Sequence, residues 1–238
     1  MIVGMQAKLY GSNLLLTFPM TFFLFLVLIK ECKKKTDIIF VLDRSSSIKP
    51  SDYDEMRKFL KMIGKRLKIG ERNEIGEILG QGALVTFSER GEKRLTLVES
   101  VEAGKFVDVV ETMPGPLPGG RTKTHLGLNV ADKEVVIKVA GYRADDPDVK
   151  KMIMVITDGE QTRGGRGFTY VGDAMKPFFN RAMDVFAIGV GLKEQKAIDE
   201  VKDMVNVKEN AILPGNYTDL VNQVENIIRK FCPSKYII

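Results

Sequence analysis

Asp37-Ile38-Ile39-Phe40-Val41-Leu42-Asp43-Arg44-Ser45-Ser46-Ser47 is the stretch that decides how this chain reads. An apolar run of strand length that ends in an acid and spaced hydroxyls reads as a buried strand with hard oxygen donors at its carboxyl end. That end suits a metal ion. Working outward, Tyr53 to Ile69 repeats apolar residues at helical spacing (Met56, Phe59, Leu60, Ile63, Leu67), with Pro50 and Ser51-Asp52 as start signals. Gly82 to Phe87 reads as a second buried strand. Arg94 to Val98 alternates as a short neighbouring strand, and Ser88-Glu89-Arg90-Gly91-Glu92 between them suits an antiparallel hairpin.

Further along, Ala103 to Thr112 fits a helix, Met113 to Gly120 (MPGPLPGG) a loop, and Thr124 to Val139 a second long helix. Met152 to Ile156 is a β-rich apolar run ending in Thr157-Asp158-Gly159. Asp184 to Val190 reads as a further strand, Ala211-Ile212-Leu213 as a short last one, and Thr218 to Phe231 as a closing helix. Strands that alternate with helices and read as continuous apolar runs predict a mainly parallel sheet covered on both faces. The expected fold is therefore α/β, a doubly wound (Rossmann-like) three-layer sandwich with one antiparallel edge strand. In such sheets ligands bind beyond the carboxyl ends of the strands, where Asp43 and Asp158 both fall.

The 238 residues suffice for one domain of about 200 residues with a full core, plus an N-terminal extra. The net charge of +5 reads as a solvated surface. No Lys/Arg cluster with interleaved aromatics follows Lys35, so nucleic-acid binding is not implied. Asn13 to Ile29 is almost wholly apolar, carries Pro19, and is shorter than the roughly 20 residues a helix needs to cross a bilayer. Residues 1–31 are expected to be a signal peptide or an N-terminal membrane anchor. No small-x-small cleavage site follows, and Lys30, Lys33, Lys34 and Lys35 lie on the side to be translocated, so an anchor at residues 13–29 or a cytosolic-facing domain remain alternatives.

Cys32 and Cys232 bracket the whole domain. Since domain termini often lie close together, the pair looks like a disulfide clasp made in an oxidising compartment, with two free thiols as the other reading. In the chain-entropy model a loop this long is worth at most about 5 kcal/mol. Asn216-Tyr217-Thr218 is a glycosylation sequon that matters if the domain is exported; Asn216 is equally placed to act as a turn or helix-capping residue after Pro214-Gly215.

Three segments resemble a known family. Asp43-x-Ser45-x-Ser47 after the first strand, Thr122 within Gly119-Gly120-Arg121-Thr122-Lys123-Thr124, and Asp158 within Ile156-Thr157-Asp158-Gly159 together resemble the metal-ion-dependent adhesion site of von Willebrand factor type A and integrin I domains. The likeness covers residues 36 to 232 and extends to Ala187-Ile188-Gly189-Val190-Gly191. It implies that Ser45, Ser47 and Thr122 coordinate Mg2+ (or Mn2+) directly, with Asp43 and Asp158 acting largely through water. A vacant coordination position would then accept an acidic residue of a partner. Magnesium prefers oxygen ligands and keeps several of its waters, which suits such a set. Taken singly, Ser45 and Ser47 could instead cap the following helix, Thr122 or Thr124 could be an N-cap, and Asp158-Gly159 could be a simple turn.

Arg44, Arg121 and Lys123 are interleaved with these residues, and Arg163 and Arg166 follow Asp158, with Glu160 as the one nearby opposite charge in the sequence. This rim is expected either to attract an acidic ligand or to point into solvent. The sole histidine, His125, reads as a surface or helix-start residue rather than a ligand or base. There is no Cys-His or Ser-His-Asp set with usable spacing, no Walker loop, and no acid two residues beyond Asp43 of the kind a dehalogenase-like phosphatase needs, so catalysis is not expected.

By resemblance, the expected function is a non-enzymatic, extracellular, cation-dependent adhesion or matrix-binding module. It would be secreted or anchored at the cell surface and would recognise collagen, another matrix protein or a cell-surface receptor. Two alternatives stand beside it: an intracellular docking subunit of a multiprotein, ATPase-linked complex, and a structural domain with an empty site.

Overall fold

The computed structural model describes residues 34–165 and 167–231. The apolar segment at 13–29, both cysteines and Arg166 lie outside the described residues. The strands are β1 (Lys35–Asp43), β2 (Gly80–Phe87), β3 (Gly91–Leu95), β4 (Val149–Thr157), β5 (Asp184–Gly189) and β6 (Ala211–Ile212). They form one sheet in the order β3-β2-β1-β4-β5-β6. β2 and β3 pair antiparallel and every other neighbouring pair is parallel. This is the doubly wound sheet with one antiparallel edge strand that the sequence predicts.

Alternation along β1 builds two cores. Ile38, Phe40 and Leu42 face one layer, which holds α1 (Pro50–Arg66), α2 (Lys105–Thr112), α6 (Tyr217–Asn222) and α7 (Val224–Phe231). Ile39 and Val41 face the other, which holds α3 (Thr124–Val130), α4 (Val171–Asn180) and α5 (Gln195–Asp203). All five side chains are fully buried, each contributing about 1.5–3 kcal/mol of transfer free energy. A strand covered on both faces has no polar side to show, which is why its sequence is continuously apolar.

Several boundaries differ from expectation. β3 begins at Gly91, because Gly91 and Glu92 already pair with Phe87 and Thr86; the turn is shorter than predicted, and Val98 falls outside the strand. The helix expected to run from Thr124 to Val139 ends early. After Val130 it widens into a π turn over Ala131–Val135, closed by Val136 N–H to Ala131 O at 2.9 Å, and Ile137 is extended. The closing helix is two helices, separated where Gln223 N–H turns tightly onto Leu220 O at 2.9 Å.

Strand order reverses direction at β1: β2 and β3 lie to one side, and β4, β5 and β6 to the other. The crevice outside the carboxyl ends of β1 and β4 is therefore the topological switch point, the favoured ligand position in an open α/β sheet. A close approach of α3 completes that end. A Cβ on Gly127 would stand 2.8 Å from Phe87, and one on Gly91 would stand 2.3 Å from Leu126 O, so both positions require glycine for α3 to lie this near β2 and β3. The loop carrying Thr122 enters α3 directly. Among the described residues no helix is long and apolar enough to cross a membrane.

Candidate metal centre

β1 delivers Asp43 to the switch point with its side chain fully buried. Asp43 Oδ1 accepts from Ser45 N–H at 2.8 Å, which folds the chain back after the strand, and Oδ2 accepts from Thr157 Oγ1 at 2.7 Å. Ser45 Oγ and Ser47 Oγ lie 2.9 Å apart, and Ser47 Oγ donates to Asp158 Oδ1 at 2.8 Å. Ser45, Ser47 and Asp158 thus form one hydrogen-bonded chain, beside an Asp43 held by Ser45 and Thr157.

Thr122 reaches the same place on the entry to α3. It is 8% exposed, and a Cβ built on Gly159 would stand 3.8 Å from its Oγ1. Backbone bonds lock the three loops together. Thr162 N–H donates to Thr122 O at 2.7 Å, and Ser46 donates to Gly120 O from its N–H at 3.0 Å and its Oγ at 3.1 Å. The structure therefore gathers Asp43, Ser45, Ser47, Thr122 and Asp158 at the end of the sheet.

The helix-capping alternatives do not hold. The residue capping α1 is Lys49 and the residue capping α3 is Lys123, neither through a side-chain bond, so Ser45, Ser47, Thr122 and Thr124 are not helix caps. Thr157, which no motif marks as a ligand, is the residue that supports Asp43. Its position as the last residue of β4, beside the end of β1, was the available signal.

Burial pushes the Asp43 carboxyl up to about 7; the bonds from Thr157 and Ser45 oppose that rise and the charge of Asp158 adds to it. Burial likewise raises Asp158, against the bond from Ser47. Among the described residues neither Asp43 nor Asp158 forms an ion pair, so their negative charge is met by neutral hydroxyls and backbone N–H groups. The hydroxyls of Tyr53 and Tyr217 are buried without a hydrogen-bond partner, and Tyr217 lies in the field of Asp158 and Asp43. Hydroxyl and carboxylate oxygens, with no histidine or cysteine among them, fit a hard divalent cation that retains waters. Among the described residues no cluster of three or more His, Cys, Asp or Glu side chains is placed to hold a metal.

The described cations of the rim are engaged with acids. Arg121 forms a two-pronged pair with Glu89, Nε to Oε1 at 2.8 Å and Nη2 to Oε2 at 3.0 Å, and Lys123 Nζ lies 2.7 Å from Glu89 Oε2. Arg44 donates to Gly115 O at 3.0 Å and to Glu92 Oε2 at 3.3 Å. Arg163 pairs with Glu160 at 3.0 Å and faces the Tyr170 ring at 6.0 Å. Glu160 is therefore not the one opposing charge, because the β2–β3 turn brings Glu89 and Glu92 to the same end. His125 does start α3, yet it is buried rather than at the surface. Its N–H donates to Gln161 Oε1 at 2.8 Å, and its Nδ1 lies 2.9 Å from the same oxygen. Gln161 N–H donates in turn to Glu200 Oε1 at 2.8 Å, pinning the loop that follows Asp158. Asn216 caps α6, its Oδ1 accepting from Asp219 N–H at 2.8 Å.

A doubly wound sheet with hydroxyls and two carboxylates converging at its switch point defines the class of domain. The chain belongs to the von Willebrand factor type A domain family, whose model matches residues 37–226. It is 25% identical to matrilin-1 of Mus musculus over 199 residues, which are 83% of this chain and 36% of that protein. It is 27% identical to the collagen alpha-5(VI) chain of Homo sapiens over 207 residues, 85% of this chain and 7% of that one. The chain thus spans about a third or less of the length of these relatives. In fold it resembles proximal thread matrix protein 1 from the mussel byssus, solved with zinc occupying its metal-ion-dependent adhesion motif. The TM-score is 0.72 at 22% identity, over 85% of this chain and 49% of that one.

Proposed function

We propose that this domain is a non-enzymatic, extracellular matrix-binding or adhesion module that holds its protein ligand through a divalent cation, Mg2+ or Mn2+. Ser45, Ser47 and Thr122 would bind the ion directly, with Asp43 and Asp158 oriented to it largely through water. The observation that carries the reading is the hydrogen-bonded chain Ser45–Ser47–Asp158 beside the buried Asp43. When bound, the ion supplies a Lewis-acidic position that a partner carboxylate can occupy. The protein's own part is to keep the hydroxyls converging and the carboxylates behind water rather than on the ion, so that its charge is only partly cancelled and remains attractive to an acidic residue.

The partner proposed is collagen, another matrix protein or a cell-surface receptor. Its support is the likeness to matrilin-1, to a collagen VI chain and to a byssal thread matrix protein. Export fits a Cys32–Cys232 clasp. Thr36 pairs with Lys150 across the β1–β4 ladder, and Lys150 Nζ donates to Phe231 O at 2.7 Å, so one lysine contacts both the first strand and the last helix of the described domain. The sequon at Asn216 lies on an exposed residue, and a sugar on its amide nitrogen leaves Oδ1 free to cap α6. Residues 1–31 would be the signal peptide or anchor.

The test is surface-based binding to a panel of collagens and matrix glycoproteins in magnesium and in EDTA. Binding to at least one of them that is lost in EDTA and in Asp158→Ala supports the reading. Binding that survives both places the contact elsewhere, and absence of binding across the panel removes the matrix assignment.

A further inference from the structure

Beside the candidate metal centre, at the β3 edge, Arg44, Glu89, Arg90, Glu92 and Arg94 line an open cleft of about 520 Å3. Three guanidinium groups meet one carboxylate there. Arg44 reaches Glu92 Oε2 at 3.3 Å, Arg90 reaches Oε1 at 2.5 Å, and Arg94 also pairs with Oε2. They come from separate segments: the loop after β1, the β2–β3 turn, and β3 itself. The adjoining Arg121 and Lys123 share Glu89, so these five cations end on two carboxylates.

We propose that this cleft is an oxyanion subsite for sulfate groups, carried by a sulfated glycan chain or present as the free ion, and that it works independently of the metal. Arg44 and Arg94 are largely buried, with side chains 13% and 22% exposed, and both guanidinium groups end on the same Glu92 oxygen, so their like charges are held close together. Burial and then the charge of Arg44 disfavour the cationic form of Arg94, with Arg90 adding to the effect. An added anion relieves that repulsion. The Glu92 carboxylate is planar and has two oxygens, whereas three forks converge on it. A tetrahedral sulfate directs oxygens to all three and stays ionised at every physiological pH. Donors remain for it, since Arg44 spends Nε on Gly115 O, Arg94 spends Nε on Thr86 Oγ1, and each guanidinium carries five N–H groups. Arg90, 83% exposed, is free to swing onto a ligand at the mouth of the cleft.

The test is calorimetric titration of the protein in EDTA, so that failure of the metal reading and failure of this one are separable. The probes are a fully sulfated heparin tetrasaccharide, inorganic sulfate, and a polyglutamate peptide of equal charge. The tetrasaccharide is expected to bind with a salt-dependent affinity that falls about tenfold in Arg90→Gln and in Arg94→Gln, the loss of one charge-assisted contact each. Glu92→Gln, which removes the internal competitor, is expected to tighten it. Inorganic sulfate that saturates the site and displaces the tetrasaccharide identifies the free ion as a sufficient ligand. Sulfate that does neither identifies the glycan chain. Absence of tetrasaccharide binding, equal binding of polyglutamate, or undiminished binding by the exposed-site variant Arg90→Gln overturns the proposal.

Discussion

Replacing Thr157 with valine removes the hydroxyl that donates to Asp43 Oδ2 at 2.7 Å and leaves a side chain of nearly the same shape. Asp43 is fully buried and keeps Ser45 N–H on its other oxygen, so the substitution strips one of two hydrogen bonds from a carboxylate shielded from bulk solvent. A bond to a charged group contributes about 1.5–3 kcal/mol, and that is the expected loss of folding free energy. The consequence for the metal centre is separate. A supporting partner of an ion-orienting carboxylate typically influences metal affinity about 10–100-fold, so Mn2+ binding is expected to weaken within that range. Chemical denaturation in EDTA measures the first effect and calorimetric Mn2+ titration the second. Thr157→Ser, which retains the hydroxyl, is expected to keep metal affinity near the parent value. Wild-type affinity in Thr157→Val would refute the reasoning, because Asp43 would then need no partner on Oδ2 to serve the site.

At the opposite end of the sheet, Arg143 donates from Nε to Asp37 Oδ1 at 2.8 Å and from N–H to Oδ2 at 2.9 Å, and its Nη groups reach Ile78 O and Thr36 O. Asp37 is fully buried, so Arg143→Met leaves an uncompensated charge and should cost about 3–5 kcal/mol in urea unfolding; a loss below about 1 kcal/mol would contradict this. The pairing of Glu89 with Arg121 and Lys123 holds its carboxyl at about 2, below the ordinary 4.5. A depressed acid contributes stability above its unfolded pKa and loses it as pH falls through the folded value, so the contribution is complete above 4.5 and vanishes toward 2. Thermal unfolding of Glu89→Gln should therefore fall below wild type at pH 6 and converge with it near the low end of that window, and a gap that does not narrow would rule the pairing out.

Local periodicity carried the outline of the fold. β1, β2, β4 and β5 were legible because strands buried on both faces are continuously apolar, and an acid of the candidate site ends β1 (Asp43) and immediately follows β4 (Asp158). α1 was legible from its 3.6-residue stripe and from Pro50 at its start. What was not legible depends on tertiary placement. The π turn at Ala131–Val135 and the break at Gln223 lie within apolar patterns that a straight helix would share. α4 carries Pro177 inside it, and α5 is short and highly charged, so neither announces itself as a helix. At the site, the five candidate residues could be named from motif order, whereas the carboxylates that hold the rim could not. Glu89 and Glu92 lie 32 and 48 residues from Arg121 and Arg44, and the hairpin alone brings them there.

The central claim is that Asp43, Ser45, Ser47, Thr122 and Asp158 form a working cation site, and thermal unfolding with and without Mg2+ or Mn2+ tests it most directly, beside Asp43→Ala. A ligand at 100 times its dissociation constant stabilises the folded state by about 2.7 kcal/mol. The account predicts a metal-dependent rise in Tm of that origin in the wild type, abolished in Asp43→Ala. A wild-type Tm indifferent to both metals, or a rise that survives in Asp43→Ala, would contradict it.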